Sequence, residues 1–415
     1  MHFSFAPRYT DLTKTNYPIS LYMDQSMQSF QAPSRILMGP GPSDVSERVL
    51  KALSQQTVGH LDPSFITLMD EIKSLLQYAF QTQNELTIPV SAPGSSGMET
   101  CFMNLVESGD KILVCINGVF GMRMKEVATR AGAQVETLEF EWGEAVDPEA
   151  VEKVLAAQPD IKMLAFVHAE TSTGVGSDAK TLCAIAQKYD CLSIVDAVTS
   201  LGGTELKVDE WGIDAIYSGT QKCLSCIPGL SPVSFSPKAV EVIKNKPSKS
   251  HSWFLDLSLV MDYWGKNAKR AYHHTAPVNS LYALHESLLI LKEETLEAAY
   301  ERHALHHKAL VAGLEVLGIE MLVAADIRLP QLNVVKIPEG VDDAQTRTTL
   351  LQQYDLEIGA GLGKFAGNAW RIGLMGNGCS KKNVLFCLAS LGAVLNEQGH
   401  KCDTEKSLSQ AESVY

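Results

Sequence analysis

Short apolar runs that end in polar or glycine-rich turns alternate with amphipathic stretches through the first two-thirds of the chain. "LTIPV" leads into "SAPGSSGMETCFM", and "KILVCING", "AQVETLEFEW", "IKMLAFVHAETSTG", "CLSIVDAVTSLGG" and "IDAIYSGTQKCL" each begin as a strand-length run. Between them, "GMRMKEVATRAG", "DPEAVEKVLAA" and "DAKTLCAIAQKY" have helical spacing, the second with proline in its first turn. Upstream, "SRILMGPGPSDVSERVLKAL" contains two Gly-Pro steps that force a turn, and Asp44 with Glu47 three residues later predicts a capped helix start. Such alternation predicts an α/β fold with a mostly parallel sheet covered by helices on both faces. Near residue 290 the texture changes. One long amphipathic helix over "KEETLEAAYERHALHHKALVAGLEVLG", short strands in "LPQLNVVKIP", "LEIGAGLG" and "AWRIGLMG", and a closing helix in "SKKNVLFCLASLGAVLNEQ" predict a smaller α+β domain. The expected division is a flexible N-terminal arm over 1–33, a large domain over 34–289, a small domain over 290–398, and a polar, mobile tail over 399–415.

Ligands of open parallel sheets sit at the carboxyl ends of the strands. That rule gathers Ser95, Glu170, Thr171, Asp196, Ser200, Gln221 and Lys222 as candidates. The loop "SAPGSSG" opening a helix offers free N–H groups to an anion such as phosphate. It is neither a Walker loop nor a dinucleotide fingerprint. Asp196 ends a strongly apolar strand, where a carboxylate is costly unless paired, and Lys222 follows the next apolar run. Phosphate cradle, carboxylate and lysine together are what pyridoxal phosphate requires: an anion site, an acid for the pyridine nitrogen and a covalent anchor that also moves a proton.

Composition narrows the setting. A formal net charge of −13 argues against a general nucleic-acid binder, which needs clustered Lys and Arg. No apolar run reaches the length of a membrane span, and the first residues have no apolar signal-peptide core, so a cytoplasmic enzyme is expected. Nine cysteines, an odd number, read as reduced thiols. Cys223 and Cys226 have CxxC spacing but lack a second pair or histidines at ligand spacing, so no metal site is expected.

The segments "LMGPGPS", "GHLDPSF", "NGVFGMR", "HAETSTG", "IVDAVTSLGG", "YSGTQK", "YHHTAPV", "RLPQLNVV" and "WRIGLMG", in this order from about Ser34 to about residue 395, resemble the class V aminotransferases, specifically the alanine–glyoxylate / serine–pyruvate group. The resemblance implies the fold-type I architecture of pyridoxal 5'-phosphate enzymes and a homodimer with shared active sites. It implies that Lys222 carries the cofactor covalently, that Asp196 faces the pyridine nitrogen, and that Phe120 stacks on the ring where relatives carry Trp. Thr171 falls near the phenolic oxygen; Gly94, Ser95 and Gln221 match phosphate contacts, as do Tyr272 and Thr275 from the partner subunit; Arg371 matches the guanidinium that binds the substrate carboxylate. Pro93 departs from the pattern: relatives have Ser or Thr there, and proline lacks both N–H and hydroxyl. Ser96 is the expected substitute donor. His273 and His274 are expected to be packing or interface residues. The implied reaction is ping-pong amino transfer from alanine or serine to glyoxylate or pyruvate. With no second cation apparent beside "WRIGLMG", dicarboxylates are expected to be poor substrates. The alternatives are serine–glyoxylate or 2-aminoethylphosphonate–pyruvate transfer, a cysteine desulfurase-like lyase using a mobile cysteine such as Cys379 or Cys387, and a non-catalytic interaction protein.

Overall fold

A computed structural model describes residues 29–265 and 270–415. Residues 1–28 of the expected arm lie outside the described residues. The central sheet has seven strands in the order Leu86–Val90, Ser231–Phe235, Ala215–Tyr217, Leu192–Asp196, Ile161–Val167, Lys111–Ile116 and Gln134–Glu139. All run parallel except Ser231–Phe235, which is antiparallel to both neighbours. This antiparallel strand is absent from the apolar pattern because two of its five residues are serines and Pro232 lies within it. Proline is usually excluded from inner strands because it cannot donate to the ladder. Here Pro232 faces Pro89 across one ladder, and its carbonyl accepts from the Ser218 amide at 2.8 Å on the other side. Ser231 and Ser234 are buried, and both hydroxyls are hydrogen-bonded.

Apolar residues of these strands, among them Ile112, Leu113, Phe166, Val195 and Val233, form the main core with Met69, Ile72 and Phe102 from the covering helices. A second core lies around the antiparallel sheet Leu332–Lys336, Ala369–Gly373 and Gly359–Ala360, where Trp370 and Ile372 pack with Leu310, Leu314, Val384 and Leu388. No described helix is long and apolar enough to cross a membrane.

Three local expectations are corrected. The first helix, Glu47–Leu53, is capped by Ser46, whose hydroxyl accepts from the Val49 amide, whereas Asp44 accepts instead from the Leu37 amide at 3.1 Å. The single long helix is two, Val278–Glu294 and Leu296–Val316, separated at Thr295. Thr295 sits at φ 73°, ψ 154° and caps the second helix through the Ala298 amide. The C-terminal stretch folds as the helix Thr404–Glu412, capped by Asp403. Ala411 enters the second core, and the buried Ser407 hydroxyl donates to the Gly313 carbonyl at 2.8 Å. A polar segment docks here because few small side chains suffice to bury one face.

Candidate active site

Two adjacent parallel strands end side by side at Asp196 and Tyr217, which are register partners. The Tyr217 hydroxyl donates to Asp196 Oδ2 at 2.7 Å, and the Val198 amide donates to Oδ1 at 2.8 Å. Burial pushes the Asp196 carboxyl up to about 6; these two bonds and the charges of Lys222 and Arg123 oppose that rise. The carboxylate is therefore buried, oriented and still ionised near neutral pH.

Five residues past the end of strand Ala215–Tyr217, Lys222 enters the same cavity. Burial brings its ammonium down to about 8; the charge of Arg371 acts in the same direction and Asp196 against it. Its Nζ donates to the Pro40 carbonyl, and its own carbonyl accepts from the Ser43 hydroxyl at 2.7 Å. The segment between these contacts is close-fitting. Gly41 has φ +107°, and a Cβ there would lie 2.7 Å from Lys222 Cδ. The Gly-Pro steps thus do more than turn the chain: they form a wall against the lysine.

The cavity, about 140 Å³, is also lined by Gly94, Ser95, Phe120, Thr171, Val198 and Gln221. Gly94 begins the helix Gly94–Leu105 and approaches the opposite wall; a Cβ there would lie 3.2 Å from Val198. The buried Gln221 Oε1 has no hydrogen-bond partner. Ser96 does not line the cavity, and its amide is bonded to the Pro93 carbonyl at 2.7 Å. Phe120 is placed by helix Val119–Arg130, whose first turn is held by Glu170: Oε2 accepts from the Phe120 and Gly121 amides at 3.1 and 3.3 Å. Ser172 donates to the other oxygen through its amide and hydroxyl. Burial pushes Glu170 up to about 7.

Arg371 sits in strand Ala369–Gly373 and joins the cavity through Thr171, whose carbonyl accepts from Nη1 at 3.4 Å; Nε donates to the Ala360 carbonyl at 2.7 Å. Tyr272 and Thr275 are not brought to it. They contact each other at 3.4 Å, and Tyr272 is 60% exposed. His274 bonds Ser91 at 2.7 Å, and His273 stacks on Trp253. Cys379 and Cys387 are buried in packed structure, and burial pushes both thiols up to about 12, which opposes the mobile nucleophile of a desulfurase.

Among the cavity residues that sequence reasoning missed, Tyr217 and Arg123 bear most on its chemistry. Tyr217 had a signal: it is the last residue of its strand, as Asp196 is of the adjoining one. Arg123 had little, because it lies one helical turn beyond Phe120 among ordinary surface charges. Its contacts are with Ser95 and Phe120.

A lysine and a buried carboxylate thus converge on one cavity, beside a helix start in a seven-stranded sheet. The model of the aminotransferase class-V family matches residues 36–366, and the chain belongs to that family of aminotransferases. It is 39% identical over 404 residues to (S)-ureidoglycine–glyoxylate transaminase of Bacillus subtilis (strain 168), covering 92% of this chain and 96% of that one. It is 39% identical over 379 residues to alanine–glyoxylate aminotransferase of Drosophila melanogaster, covering 90% and 96%. Among solved structures, alanine–glyoxylate aminotransferase of Nostoc sp. superposes with a TM-score of 0.87 at 42% identity, covering 89% of this chain and 98% of that one.

Proposed function

We propose that this chain uses pyridoxal 5'-phosphate, anchored on Lys222, to move the amino group of a small amino acid, alanine or serine, to glyoxylate or pyruvate. The observation that carries the reading is the convergence of Lys222 and the Tyr217-held Asp196 on one cavity. The donor set fits the cofactor. Lys222 suits its aldehyde, Asp196 its protonated ring nitrogen, and the start of helix Gly94–Leu105, with the donor end of the Gln221 amide, its phosphate. When bound, the cofactor supplies an electrophilic carbon for amino groups and a ring that accepts the electron pair of a broken Cα–H bond.

The chain's own residues do the rest. Lys222 is partly neutral near pH 8 and can give up and recover a proton beside the substrate Cα. Asp196 holds a proton on the ring nitrogen, because its two donors keep the carboxylate aimed and charged. Phe120 covers one ring face. Arg371 presents a planar fork to the substrate carboxylate. One site serves donor and acceptor in turn, which makes the kinetics ping-pong. The names of the Drosophila and Nostoc relatives support alanine and glyoxylate. The Bacillus relative favours a second reading, ureidoglycine as donor with the same acceptor. The exposure of Tyr272 and Trp253, at 60% and 62%, supports a second copy of the chain covering that face and bringing Tyr272 and Thr275 to its partner's phosphate site.

The test is covalent. Purified protein reconstituted with pyridoxal phosphate and reduced with borohydride is expected to carry the phosphopyridoxyl group on the peptide containing Lys222. Mass mapping that finds it on another lysine, or on none, contradicts the reading.

A further inference from the structure

The anion end of the cavity is short of donors on its own helix. Pro93, the residue preceding Gly94–Leu105, has extended backbone and makes no side-chain cap. It has neither amide hydrogen nor hydroxyl, and the Ser96 amide is committed to the Pro93 carbonyl at 2.7 Å. Gly94 and Ser95 remain. A phosphate monoester carries between one and two negative charges near neutral pH. Two amides and a hydroxyl orient such a group but do not balance its charge.

The facing helix, Val119–Arg130, supplies a cation. Phe120 and Arg123 are three residues apart and so share a helix face. The Arg123 guanidinium lies over the Phe120 ring, 4.9 Å from its centroid, and its Nη1 donates to Ser95 Oγ at 3.2 Å. Arg123, Phe120, Gly94, Ser95 and Gln221 all line the cavity. Most other arginines of the molecule are spent on carboxylates: Arg302 pairs with Glu294, Arg347 with Asp343, Arg48 with Glu286 and Glu293. Among the described residues no carboxylate lies within ion-pair distance of Arg123. One of its five N–H groups is used on Ser95, and the others keep a fork suited to phosphate oxygens.

We propose that Arg123 is the phosphate-binding cation of this site and replaces the donors that Pro93 withholds. Stacking on Phe120 fixes the guanidinium plane, so one helical turn delivers both the ring-covering aromatic and the charge. The proposal rests on the reading that the cavity takes pyridoxal phosphate, and it assigns Arg123 to the cofactor and not to a distal carboxylate of the substrate.

The experiment is an equilibrium titration of apo-protein, followed by the visible band of the bound compound, with pyridoxal phosphate and with pyridoxal, which lacks the phosphate. Arg123→Gln is expected to weaken pyridoxal phosphate about 10- to 100-fold while shifting pyridoxal by less than about twofold. Arg123→Lys, which keeps charge but loses the fork, is expected to fall between. Pro93→Ser added to Arg123→Gln is expected to recover part of the loss. Inorganic phosphate is expected to raise the melting temperature of wild-type apo-protein more than that of Arg123→Gln. Unchanged affinity for pyridoxal phosphate overturns the proposal. Equal losses for both compounds overturn it too, since Arg123 would then act on the ring through Phe120. So does a rise in KM for aspartate or 2-oxoglutarate at unchanged cofactor affinity. Should Arg123→Gln not fold, Arg123→Lys decides by the same comparison. A wild-type protein that binds neither compound would instead refute the cofactor reading of the cavity.

Discussion

Lys222 is suited to its role by where its amine is buried. An exposed lysine is almost wholly protonated at neutral pH and cannot attack a carbonyl. Burial brings this one to about 8, while Asp196, at about 6, keeps a counter-charge in the same cavity. Capture of pyridoxal phosphate by apo-protein is therefore expected to speed up as pH rises, about tenfold per unit below pH 8 and levelling above it. Stopped-flow absorbance checks this; a rate that is flat, or that climbs until pH 10, contradicts it. Lys222 and Asp196 were legible in the sequence because each follows or closes an apolar run, a place where a charge needs a reason. Glu170 was legible as a polar strand end, but its capping of the Phe120 helix was not, because its partners are about fifty residues away in sequence. Tyr217 was marked only as a strand end; its bond to Asp196 depends on cross-strand register, and the place of Arg123 on helix-to-helix approach, which no local pattern encodes.

The elements themselves were mostly readable, and the failures share one physical cause: a local signal outweighed by its tertiary setting. The alternating strands and helices predicted the parallel sheet, and with it the end where the site lies. Strand Ser231–Phe235 was hidden by its proline and serines, whose polar groups are satisfied only across the sheet. The break at Thr295 was hidden by good helix formers on either side. Thr295 adopts a backbone region that is essentially glycine's own, at a cost of about 1–3 kcal/mol. Glycine as an N-cap is only a few tenths of a kcal/mol worse than threonine, although it gives up more backbone entropy on folding. Thr295→Gly is therefore expected to stabilise the fold by about 1 kcal/mol. The readout is a higher urea midpoint at unchanged slope; an unchanged or lower midpoint would mean that the position carries no strain.

At the scale of the whole molecule, each active site is expected to draw on two chains: Lys222 from one and Tyr272 from its partner. Lys222→Ala removes anchor and proton carrier; Tyr272→Asp sets a carboxylate against a phosphate dianion, where like charges repel. Each variant alone is expected to be nearly inactive. Refolded together, about half the dimers are mixed, and in each of these one site takes both lesions and the other none, so about a quarter of wild-type activity returns. No recovery, with mixed dimers present by native mass spectrometry, would place Tyr272 outside its partner's site. The central claim, amino transfer through one reusable site, is tested most directly by a half-reaction. Reconstituted protein given alanine and no acceptor is expected to release about one equivalent of pyruvate per chain and stop, then to consume about one equivalent of glyoxylate and regain its starting spectrum. Lys222→Ala is expected to do neither. Continuous turnover of alanine without acceptor, or no keto acid from alanine, serine or ureidoglycine, would contradict it.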